Sequence, residues 1–491
     1  MIVKTDIDTI EAYLTDASNL KGKSNKLIIP ENKDELKTVI KELFNQNQNF
    51  VISAAGTGLT GGRVPKDDTI ISIEKLNNIL EINPEKKFVR VEPGVTLNQL
   101  EEAISLYNLF LPPNPTEKNS SLGGNVVNNS SGSRSFKYGS IRNYVEALEI
   151  ILSNGETFNL NRGNNFADGN KLSLITDEKS QYNIEFDEIT PPNTKHSGGY
   201  YLKYNMDAID LFIGSEGTLG VISEIKLSVA IIPEKVLGLL VFFDDEYNLL
   251  EFTEKIREKS LITNKVNIDT NSDIAARLIE FFDEKSLDLI RNKYPQIPAE
   301  SKGAIWIEQE YSENFENEIL EKWFEIISKY SLLADSTWVA TNEKEHNNFR
   351  EFRHQIPLTV NEIISRNGMR KIGTDTAVPS YNFREYYFYV KEKLTELQID
   401  YVVFGHIGDS HLHANIFPKN EAETKKALDF YEMIMLKAIN LGGTVSAEHG
   451  IGKIKKNYLK MMIGDKGITS MKKIKNILDP KNLLGKGNLF D

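Results

Sequence analysis

A cluster of histidines is the first feature of this chain with the potential for chemistry. Three of its seven histidines fall within eight positions: His406, His411 and His413. If residues 411–416 form a strand, two of these histidines share one face with Asn415. A Gly408-Asp409 turn then brings the third back toward that face. A lone histidine is usually structural, but this density favours metal binding or catalysis.

A carboxylate that completes such a site follows in Glu448, next to His449 in a glycine-rich stretch. Two imidazole nitrogens and one carboxylate make a three-ligand site that leaves coordination positions open. Borderline divalent ions such as Zn²⁺, Mn²⁺ or Fe²⁺ suit that donor set. The spacing therefore predicts a metal or catalytic centre.

A second feature is a run of four glycines in seven residues, Gly56-Thr-Gly-Leu-Thr-Gly-Gly62. The run contains a formal GxGxxG, which in a nicotinamide-binding Rossmann fold opens directly into a helix. Here Pro65 and two aspartates follow, and they make a poor helix start. We therefore interpret the segment as a strand–loop–strand whose backbone N–H groups face a phosphate. A plain turn is the alternative, but such a turn seldom needs four glycines.

Two further glycine-rich stretches lie at 120–132 and 211–222. The first is rich in Ser, Asn and Gly, so a large planar cofactor can lie against its backbone. A flexible polar loop is the alternative, but aromatic and cationic residues follow it directly at 136–142. In the second stretch three glycines interrupt an apolar run, which marks close approach of the backbone to a neighbour.

The elements that must position these residues alternate between strand and helix up to about residue 230. Apolar spacings of three and four predict a helix over 33–46. Short apolar runs that end at turn residues predict strands, among them 50–53 and 69–73. A domain boundary is predicted near 231–233, after which long charged helices dominate. The polar, Asn-rich segment 161–195 is predicted to be a surface excursion.

Composition narrows the functional classes. The formal charge of −12 makes nucleic acid and an anionic membrane poor main partners. The chain has no cysteine, which excludes disulfides, Cys-ligated zinc, iron–sulfur clusters and a cysteine-linked flavin within it. No stretch approaches about 18 uninterrupted apolar residues, and the N-terminus has no signal-peptide pattern. The cytoplasm is therefore the default compartment, and peripheral contact at the inner membrane face stays open.

Cations that could hold a substrate carboxylate occur at Arg353 and Lys371. Charged helix faces are common, so solvation or a salt bridge is the more frequent role of such residues. From the pattern alone, the functional interpretation of these two residues is the less favoured one.

Taken together, these stretches resemble the FAD-linked oxidases of the vanillyl-alcohol oxidase type. The resemblance is to the branch that contains D-lactate dehydrogenase, glycolate oxidase and D-2-hydroxyglutarate dehydrogenase. The similar motifs run in order along most of the chain: Gly56-Thr-Gly-Leu-Thr-Gly-Gly62, Val91-Glu-Pro-Gly94, Ser121-Leu-Gly-Gly-Asn125, Lys137-Tyr-Gly139, Ile213-Gly-Ser-Glu-Gly-Thr-Leu-Gly220, Asp375-Thr-Ala-Val-Pro379, Gly405-His-Ile-Gly-Asp409, Glu448-His-Gly450 and Asp479-Pro480.

The resemblance implies an α+β protein in three parts. An FAD-binding domain of two α/β subdomains would take residues 1–232. A cap domain with an antiparallel sheet, residues 233–425, would bind substrate. A C-terminal helical segment, residues 426–491, would pack back on the FAD domain.

The resemblance also implies a role for individual residues. His406, His413 and Glu448 would bind a divalent metal, and His449 would be the catalytic base. The substrate would be contacted by Arg353, Lys371 and Asn415. Loop 56–62 would hold the FAD pyrophosphate, and segment 120–132 would line the isoalloxazine and ribityl groups. The residues assigned to FAD are Gly56, Thr57, Gly58, Leu59, Thr60, Gly61, Gly62, Ser120, Ser121, Gly123, Gly124, Asn125, Asn128, Ser131, Gly132, Tyr138, Gly139, Glu216, Gly220, Val221 and Ile222.

Three departures from the family pattern bear on these roles. Ser410-His411 stands where the family usually has Gly-Asn, so His411 can compete as a metal ligand or touch substrate. His196 stands where relatives often carry Asn. Loop 56–62 contains neither His nor Cys, which excludes a covalent flavin bond from that loop, so FAD is expected to be noncovalent.

The implied function is FAD-dependent oxidation of a small D-2-hydroxy acid to the 2-oxo acid. D-Lactate, D-2-hydroxyglutarate and glycolate are the candidate substrates, with metal-assisted hydride transfer to flavin N5. Electrons would then pass to an external acceptor such as a quinone, an electron-transfer flavoprotein, a separate iron–sulfur subunit or oxygen. Two other classes stay open: a flavin-dependent transferase of the alkylglycerone-phosphate synthase type and a noncatalytic flavoprotein subunit. A flavin-free metallohydrolase is a more distant alternative.

Overall fold

The computed structural model describes residues 1–265 and 273–491. The chain begins with a four-stranded sheet in the order β1-β2-β4-β3, in which β2, β4 and β3 are parallel. Its elements are β1 (Ile2–Lys4), α1 (Ile7–Glu11), β2 (Leu27–Ile29), α2 (Lys33–Asn45), β3 (Phe50–Ser53) and β4 (Thr69–Ser72). Loop 56–62 connects β3 to β4, so the predicted strand–loop–strand is confirmed.

Helix α2 forms where the apolar spacing predicted it. Its N-cap, Asn32, accepts a hydrogen bond from the backbone N–H of Glu35, which satisfies one of the free donors of the first turn. The buried residues of α2 lie on one face at helical spacing: Leu36, Val39, Ile40 and Leu43. They pack with Phe50 and Ile71 from β3 and β4, so this helix covers the first sheet.

A second, five-stranded sheet in the order β5-β6-β12-β8-β9 is antiparallel throughout. Two smaller strand pairs, β7 with β13 and β10 with β11, accompany it. The elements of this part are β5 (Ile79–Asn83), β6 (Phe88–Val91), α3 (Leu97–Ser105), β7 (Leu109–Phe110), α4 (Leu122–Val127), α5 (Ser135–Tyr138), β8 (Val145–Ile151), β9 (Thr157–Asn161), β10 (Lys171–Ile175), β11 (Gln181–Glu185), α6 (Ile209–Phe212), β12 (Val221–Ser228) and β13 (Ala230–Ile231).

The segment 161–195 lies largely at the surface, as its polar composition predicted, because 17 of its 35 residues are exposed. One face of its hairpin β10–β11 also contributes three buried side chains to the core of this part: Leu172, Leu174 and Ile184. Alternation along β10 allows both, because Lys171, Ser173 and Ile175 face outward while the two leucines face inward. The segment ends at Lys195, whose side chain is only 7% exposed.

The middle of the chain forms an eight-stranded antiparallel sheet. Its order is β17-β14-β16-β15-β20-β21-β18, with β19 also paired to β21. The elements are β14 (Lys235–Phe243), α7 (Glu246–Lys265), β15 (Ala276–Asp283), α8 (Glu284–Ile290), β16 (Gly303–Tyr311), α9 (Glu316–Tyr330), β17 (Trp338–Ala340), α10 (Glu343–Asn367), β18 (Ile372–Gly373), β19 (Thr376–Ala377), α11 (Phe383–Leu397), β20 (Tyr401–Gly405) and β21 (His411–Ile416).

Helices cover both faces of this larger sheet, and the side-chain alternation of β14 shows why. Leu239 and Val241 of β14 pack in a core with residues of α7, α9 and α11. Leu240 and Phe242 point the other way and pack with residues of α8 and α10. Because successive strand residues face opposite sides, a strand that is apolar throughout requires a layer on each side.

Two helices and a short tail complete the chain: α12 (Glu421–Asn440) and α13 (Lys456–Leu478). Helix α12 packs on α11 and β18 of the larger sheet, so the boundary predicted at 425 falls inside a helix. Helix α13 packs on β11, and backbone hydrogen bonds join Phe50 of β3 to Leu483 and Gly485. The predicted domains 1–232, 233–425 and 426–491 remain a proposal. Among residues 1–265 and 273–491, no helix is long and apolar enough to cross a membrane.

Candidate active site

A cavity lies where loop 56–62 meets the stretches 115–132 and 216–222. The residues assigned to FAD line it, with three exceptions: Gly61, Tyr138 and Gly139. The hydroxyl of Tyr138 instead donates a hydrogen bond to Glu310 of β16, and Gly139 ends the helix α5. The flavin contact of the Tyr-Gly pair stays a prediction, and neither residue lines this cavity.

Glycines of the cavity wall leave room for a ligand against the backbone. A Cβ atom built on Gly62 or on Gly217 would meet no heavy atom within 4 Å. The backbone φ of Gly62 is one that any residue can adopt, so the glycine is not needed for its conformation. Its lack of a side chain instead leaves free space in the cavity. Open backbone of this kind suits the phosphate groups of a large cofactor.

Glu216 ties this cavity to the C-terminal part of the chain. Its carboxylate accepts hydrogen bonds from the backbone N–H groups of Ile451 and Gly452, each at 2.6 Å. Burial raises the pKa of Glu216 to about 7, although these two bonds act in the opposite direction. The same connection brings Glu448 and His449 into the cavity wall.

The three clustered histidines converge as the sequence predicted. Strands β20 and β21 form a hairpin, and all three rings are at most 8% exposed: His406, His411 and His413. One ligating atom from each of them and one from Glu448 lie within 4.8 Å of one another. The predicted carboxylate therefore joins the histidines from a separate segment of the chain, and His411 stands with them as a fourth donor.

His406 lies between two carboxylates. Its Nδ1 bonds Glu280 of β15, and its Nε2 lies 3.2 Å from Oε1 of Glu448. Burial opposes a charged ring, but Glu280 and Glu448 raise the pKa of His406 to about 9. A carboxylate on Nδ1 fixes the ring orientation and presents Nε2 to the cluster, as in many histidine ligands of metals.

The other two histidines of the hairpin differ in their hydrogen bonds. Nδ1 of His413 donates to the carbonyl oxygen of Thr374 at 3.1 Å, so the Nε2 lone pair is available for a ligand. His411 is fully buried, and neither of its ring nitrogens makes a hydrogen bond to any residue that the structure describes. Its Nε2 lies 3.2 Å from Oδ1 of Asp375 without the alignment of a hydrogen bond. Buried polar atoms without partners are costly, so an ion is a reasonable partner for this ring.

His449 stands at the edge of this cluster and faces the cavity. Its ring stacks on that of His413, with the centroids 5.4 Å apart and the planes 15° apart. Nδ1 of His449 lies 3.5 Å from Asp375, and the side chain is 28% exposed. Burial lowers the pKa of His449, and Asp375 offsets this only in part. A neutral, accessible imidazole at this place can accept a proton from a molecule in the cavity.

Asp375 organises the segment that carries Glu448 and His449. Its carboxylate accepts from the backbone N–H groups of both residues, at 3.1 and 3.0 Å, and from Lys455 at 2.8 Å. Although burial favours the neutral acid, His449 and Lys455 hold the pKa of Asp375 well below its usual range. The fully buried aspartate is thus a charged anchor for the loop that joins the two parts of the site.

The residues predicted to contact substrate lie beside the cluster. Arg353 of α10 is 7% exposed, and its Nε lies 3.5 Å from Oε2 of Glu280. Asn415 donates weakly to the carbonyl oxygen of His413 at 3.4 Å. Lys371 and Asn415 both approach Gly373, and burial lowers the pKa of Lys371. The cations are therefore close to the histidines, and Lys371 has no ion-pair partner in the described part of the chain.

Comparisons with known proteins support a family assignment. The model of the FAD linked oxidases, C-terminal domain, matches residues 240–489, and that of an FAD binding domain matches residues 25–161. The glycolate oxidase subunit GlcD of Bacillus subtilis is 30% identical over 94% of this chain and 88% of its own length.

The chain belongs to the FAD-linked oxidases of the vanillyl-alcohol oxidase type. The fold prediction and the prediction of an FAD-dependent oxidoreductase are thereby confirmed. A D-lactate dehydrogenase of Anaerostipes hadrus is 28% identical over 98% of this chain and 92% of its own length. A D-2-hydroxyglutarate dehydrogenase of Stutzerimonas stutzeri is 24% identical over 99% of this chain and 96% of its own length.

Solved structures show the same fold at low sequence identity. An alkyldihydroxyacetonephosphate synthase matches with a TM-score of 0.68 and 16% identity over 98% of this chain and 81% of its own length. A 4-ethylphenol oxidase from Gulosibacter chungangensis matches with a TM-score of 0.69 and 16% identity over 99% of this chain and 94% of its own length. At such identities the likeness concerns the fold of this FAD-linked oxidase and not its reaction.

Three buried charges of this FAD-linked oxidase escaped sequence analysis. Lys195 contacts Glu448, Glu280 holds His406, and Asp375 anchors the loop at 448–449. Lys195 lies in a segment predicted to be at the surface, and Glu280 lies in a buried strand with no motif around it. Asp375 stands in a stretch similar to the family, but nothing local indicates what it binds. Arg277 and Asp283 also interrupt the apolar residues of that strand, so a charge there did not distinguish Glu280 from its neighbours.

Proposed function

We propose that this FAD-linked oxidase oxidises a small D-2-hydroxy acid to the corresponding 2-oxo acid. One observation carries the proposal: Glu448 and His449 line the cavity, and the three clustered histidines lie directly behind them. Oxidation of a hydroxy acid needs a base for the hydroxyl proton beside the hydride acceptor, and this arrangement supplies it. The relatives named for glycolate, D-lactate and D-2-hydroxyglutarate support these three acids as candidates.

FAD fits the cavity through the backbone of its wall. The open faces of Gly62 and Gly217 leave space against which the pyrophosphate would lie. Lys453, whose ammonium donates to the carbonyl oxygen of Gly61 at 3.2 Å, places a cation beside the same loop. With neither His nor Cys in 56–62, the loop would hold FAD without a covalent bond.

A divalent ion, Zn²⁺, Mn²⁺ or Fe²⁺, fits the histidine cluster. His406, His413 and Glu448 would be its ligands, since each presents an atom whose other hydrogen bonds already fix its orientation. His411, with both ring nitrogens unpartnered in the described chain, would be a further ligand or a contact to substrate. Imidazole nitrogens with one carboxylate are a donor set that these ions favour.

The residues of the chain would then act as follows. When bound, the ion would lower the pKa of the substrate hydroxyl, and FAD would take the hydride from C2 at N5. His449 would accept the hydroxyl proton, with its Nδ1 side oriented by Asp375. Arg353 would hold the substrate carboxylate, since a guanidinium matches a carboxylate in two parallel hydrogen bonds. Asn415 and Lys371 would contact the rest of the substrate.

The electrons must leave through an acceptor outside this chain. Without cysteine, the chain cannot hold an iron–sulfur cluster ligated by thiolates. A quinone, an electron-transfer flavoprotein, a separate iron–sulfur subunit or oxygen would meet this requirement. Each of these acceptors is compatible with a cytoplasmic protein that contacts the inner membrane face peripherally.

The decisive test is an anaerobic visible spectrum of the purified protein, titrated with a panel of D- and L-2-hydroxy acids. We expect a flavin band that one D-acid bleaches, which would establish the reaction and name the substrate. A flavin band that no acid bleaches, even after Mn²⁺ or Zn²⁺ is added, would contradict the proposal. That result would favour the transferase or the noncatalytic subunit, and a colourless protein would favour the metallohydrolase.

Two changes test the roles within the site. A chelator should stop bleaching by the acid, and an unaffected rate would remove the metal from the reaction. His449→Ala should abolish flavin reduction while FAD stays bound, because the side chain is only one part of the cavity wall. Normal reduction by that variant would exclude His449 as the base.

A further inference from the structure

One oxygen of Glu448 receives three hydrogen-bond donors from the N-terminal part of the chain. The hydroxyl of Ser131 donates to Oε1 at 3.2 Å, and the backbone N–H of Gly132 donates to it at 3.1 Å. The ammonium of Lys195 donates to the same atom. No hydrogen bond to the other oxygen, Oε2, is found within residues 1–265 and 273–491.

Lys195 is held at this place by more than Glu448. Its ammonium lies 3.3 Å from the carbonyl oxygen of Gly132 and 3.5 Å from Oδ2 of Asp409. Asp409 in turn accepts a hydrogen bond from the hydroxyl of Ser135 at 2.5 Å. With a side chain 7% exposed and three oxygen partners, the ammonium is fixed in position and fully charged.

The oxygen that these donors contact is also the one that faces the histidine cluster, because Nε2 of His406 lies 3.2 Å from Oε1. A carboxylate oxygen offers about two lone-pair directions, so donors on Oε1 compete with a metal for the same electron pairs. We propose that Lys195 competes with the metal for Oε1 of Glu448 and thereby weakens the bond between this carboxylate and the ion. Lys195 is then a positioning residue, and the inference rests on the metal site of the proposed function.

This arrangement has an electronic consequence. An ammonium on Oε1 draws negative charge away from the carboxylate oxygen that faces the cluster and adds a nearby positive charge. Both effects weaken metal binding, and both leave the ion a stronger Lewis acid toward a substrate hydroxyl. Lys195 therefore lowers the affinity of the site for the ion and increases the acidity of the bound substrate hydroxyl.

The test compares Lys195→Met with the wild type, both as the full chain loaded with FAD and stripped of metal. Mn²⁺ alone is the probe, and its affinity is measured by electron paramagnetic resonance. We expect Lys195→Met to bind Mn²⁺ about tenfold more tightly, because a buried positive charge has gone. Flavin reduction at saturating substrate should become about tenfold slower in the same variant, since the hydroxyl is less acidified.

These opposite changes distinguish positioning from structural damage, which would weaken metal binding and slow reduction together. Lys195→Arg keeps the charge and should restore both quantities toward the wild type. Lys391→Met is the matched control, since Lys391 is a 19% exposed lysine paired with Glu246 and Asp283 away from the cluster. It should leave both quantities unchanged.

Each outcome supports or overturns either the role of Lys195 or the metal site. Mn²⁺ binding by Lys195→Met that equals or falls below that of the wild type overturns the role of Lys195 and leaves the proposed function intact. A wild type that binds no Mn²⁺ overturns the metal site, and this inference with it. If Lys195→Met does not retain FAD, Ser131→Ala replaces it, since it removes a neutral donor from the same oxygen. A smaller gain in Mn²⁺ affinity is then expected, and no gain contradicts the inference.

Discussion

The cavity for FAD and the histidine cluster behind it are built on opposite principles. The cavity wall consists mainly of glycines and small polar residues, most of them in three continuous stretches. The cluster consists of charged and ring side chains from distant segments: Lys195, Glu280, Asp375, the 406–413 hairpin and the 448–449 loop.

The difference teaches which mutations each region tolerates. A backbone-built wall depends on the absence of side chains, so only added bulk damages it. A cluster of buried charges depends on every partner, because each removal leaves another charge uncompensated. Glu448 and His449 belong to both regions, but changes elsewhere in one region should leave the other intact, and this independence can be tested in both directions.

Glu448→Gln should have the largest effect. It removes the charge that joins His406 to Lys195, and we expect flavin reduction by the D-acid to fall by at least about 1000-fold. FAD content should stay that of the wild type, because the backbone forms most of the wall. Rapid-mixing measurement of flavin reduction checks this. Glu310→Gln is the control, since Glu310 and Glu448 have equally exposed side chains (14%), and its rate should stay near that of the wild type.

Gly62→Val should break the cavity and spare the cluster. The added side chain occupies the open space next to loop 56–62 without backbone strain, so we expect FAD to bind about 100-fold more weakly. Gly62→Ala should have a smaller effect of the same sign. Fluorescence titration with FAD measures both, and Mn²⁺ binding by the apoprotein should persist. Loss of Mn²⁺ binding in parallel would show that the two regions are not independent.

Glu280→Gln should weaken the cluster without destroying it. The amide can still accept a hydrogen bond from Nδ1 of His406 but supplies no charge, so we expect a loss of about 10- to 100-fold in Mn²⁺ affinity. Calorimetric titration of the FAD-loaded, metal-stripped enzyme measures it. An affinity equal to that of the wild type would mean that Glu280 does not orient this ligand.

His196→Asn should have the smallest effect and concerns stability in acid. Burial lowers the pKa of His196 to about 4 from an ordinary value of 6.5, so the folded state binds fewer protons than the unfolded state. This histidine therefore does not lower the free energy of unfolding above pH 6.5, and it lowers that free energy progressively as the pH falls toward 4. At pH 5 the loss is about 2 kcal/mol.

The Asn variant should therefore unfold in urea with a smaller difference between pH 8 and pH 5 than the wild type. Asn can keep a hydrogen bond to Thr444, whose hydroxyl lies 2.8 Å from Nδ1 of His196. Equal pH dependence in the two proteins would contradict the shifted pKa.

The sequence predicted the cavity well because its information is local. Four glycines in loop 56–62 and the run at 120–132 each specify their own backbone shape and open surface. The hairpin of His411 and His413 was predictable for the same reason, since alternation along one strand places both rings on one face. The family motifs then supplied the assignment of Glu448 and His449.

The partners of the cluster were not predictable because they depend on tertiary contacts. Nothing near Glu280 or Lys195 in the sequence shows that each contacts a proposed metal ligand more than 100 residues away. Composition predicted the surface position of 161–195 but did not show the inward-facing apolar residues of its hairpin. The resemblance assigned Tyr138 to FAD, but the motif does not show that its hydroxyl bonds Glu310 of the larger sheet.

The loop that Asp375 anchors lies near the end of the chain, so the site is completed late in translation. A ribosome releases the three glycine-rich stretches, which end at residue 222, long before it releases Glu448 and His449. A nascent or truncated chain that stops before residue 448 carries the three clustered histidines but neither their carboxylate nor the proposed base. Such a chain also lacks the backbone N–H groups of Ile451 and Gly452 that hold Glu216, so synthesis of the last tenth completes both the cavity and the chemical site.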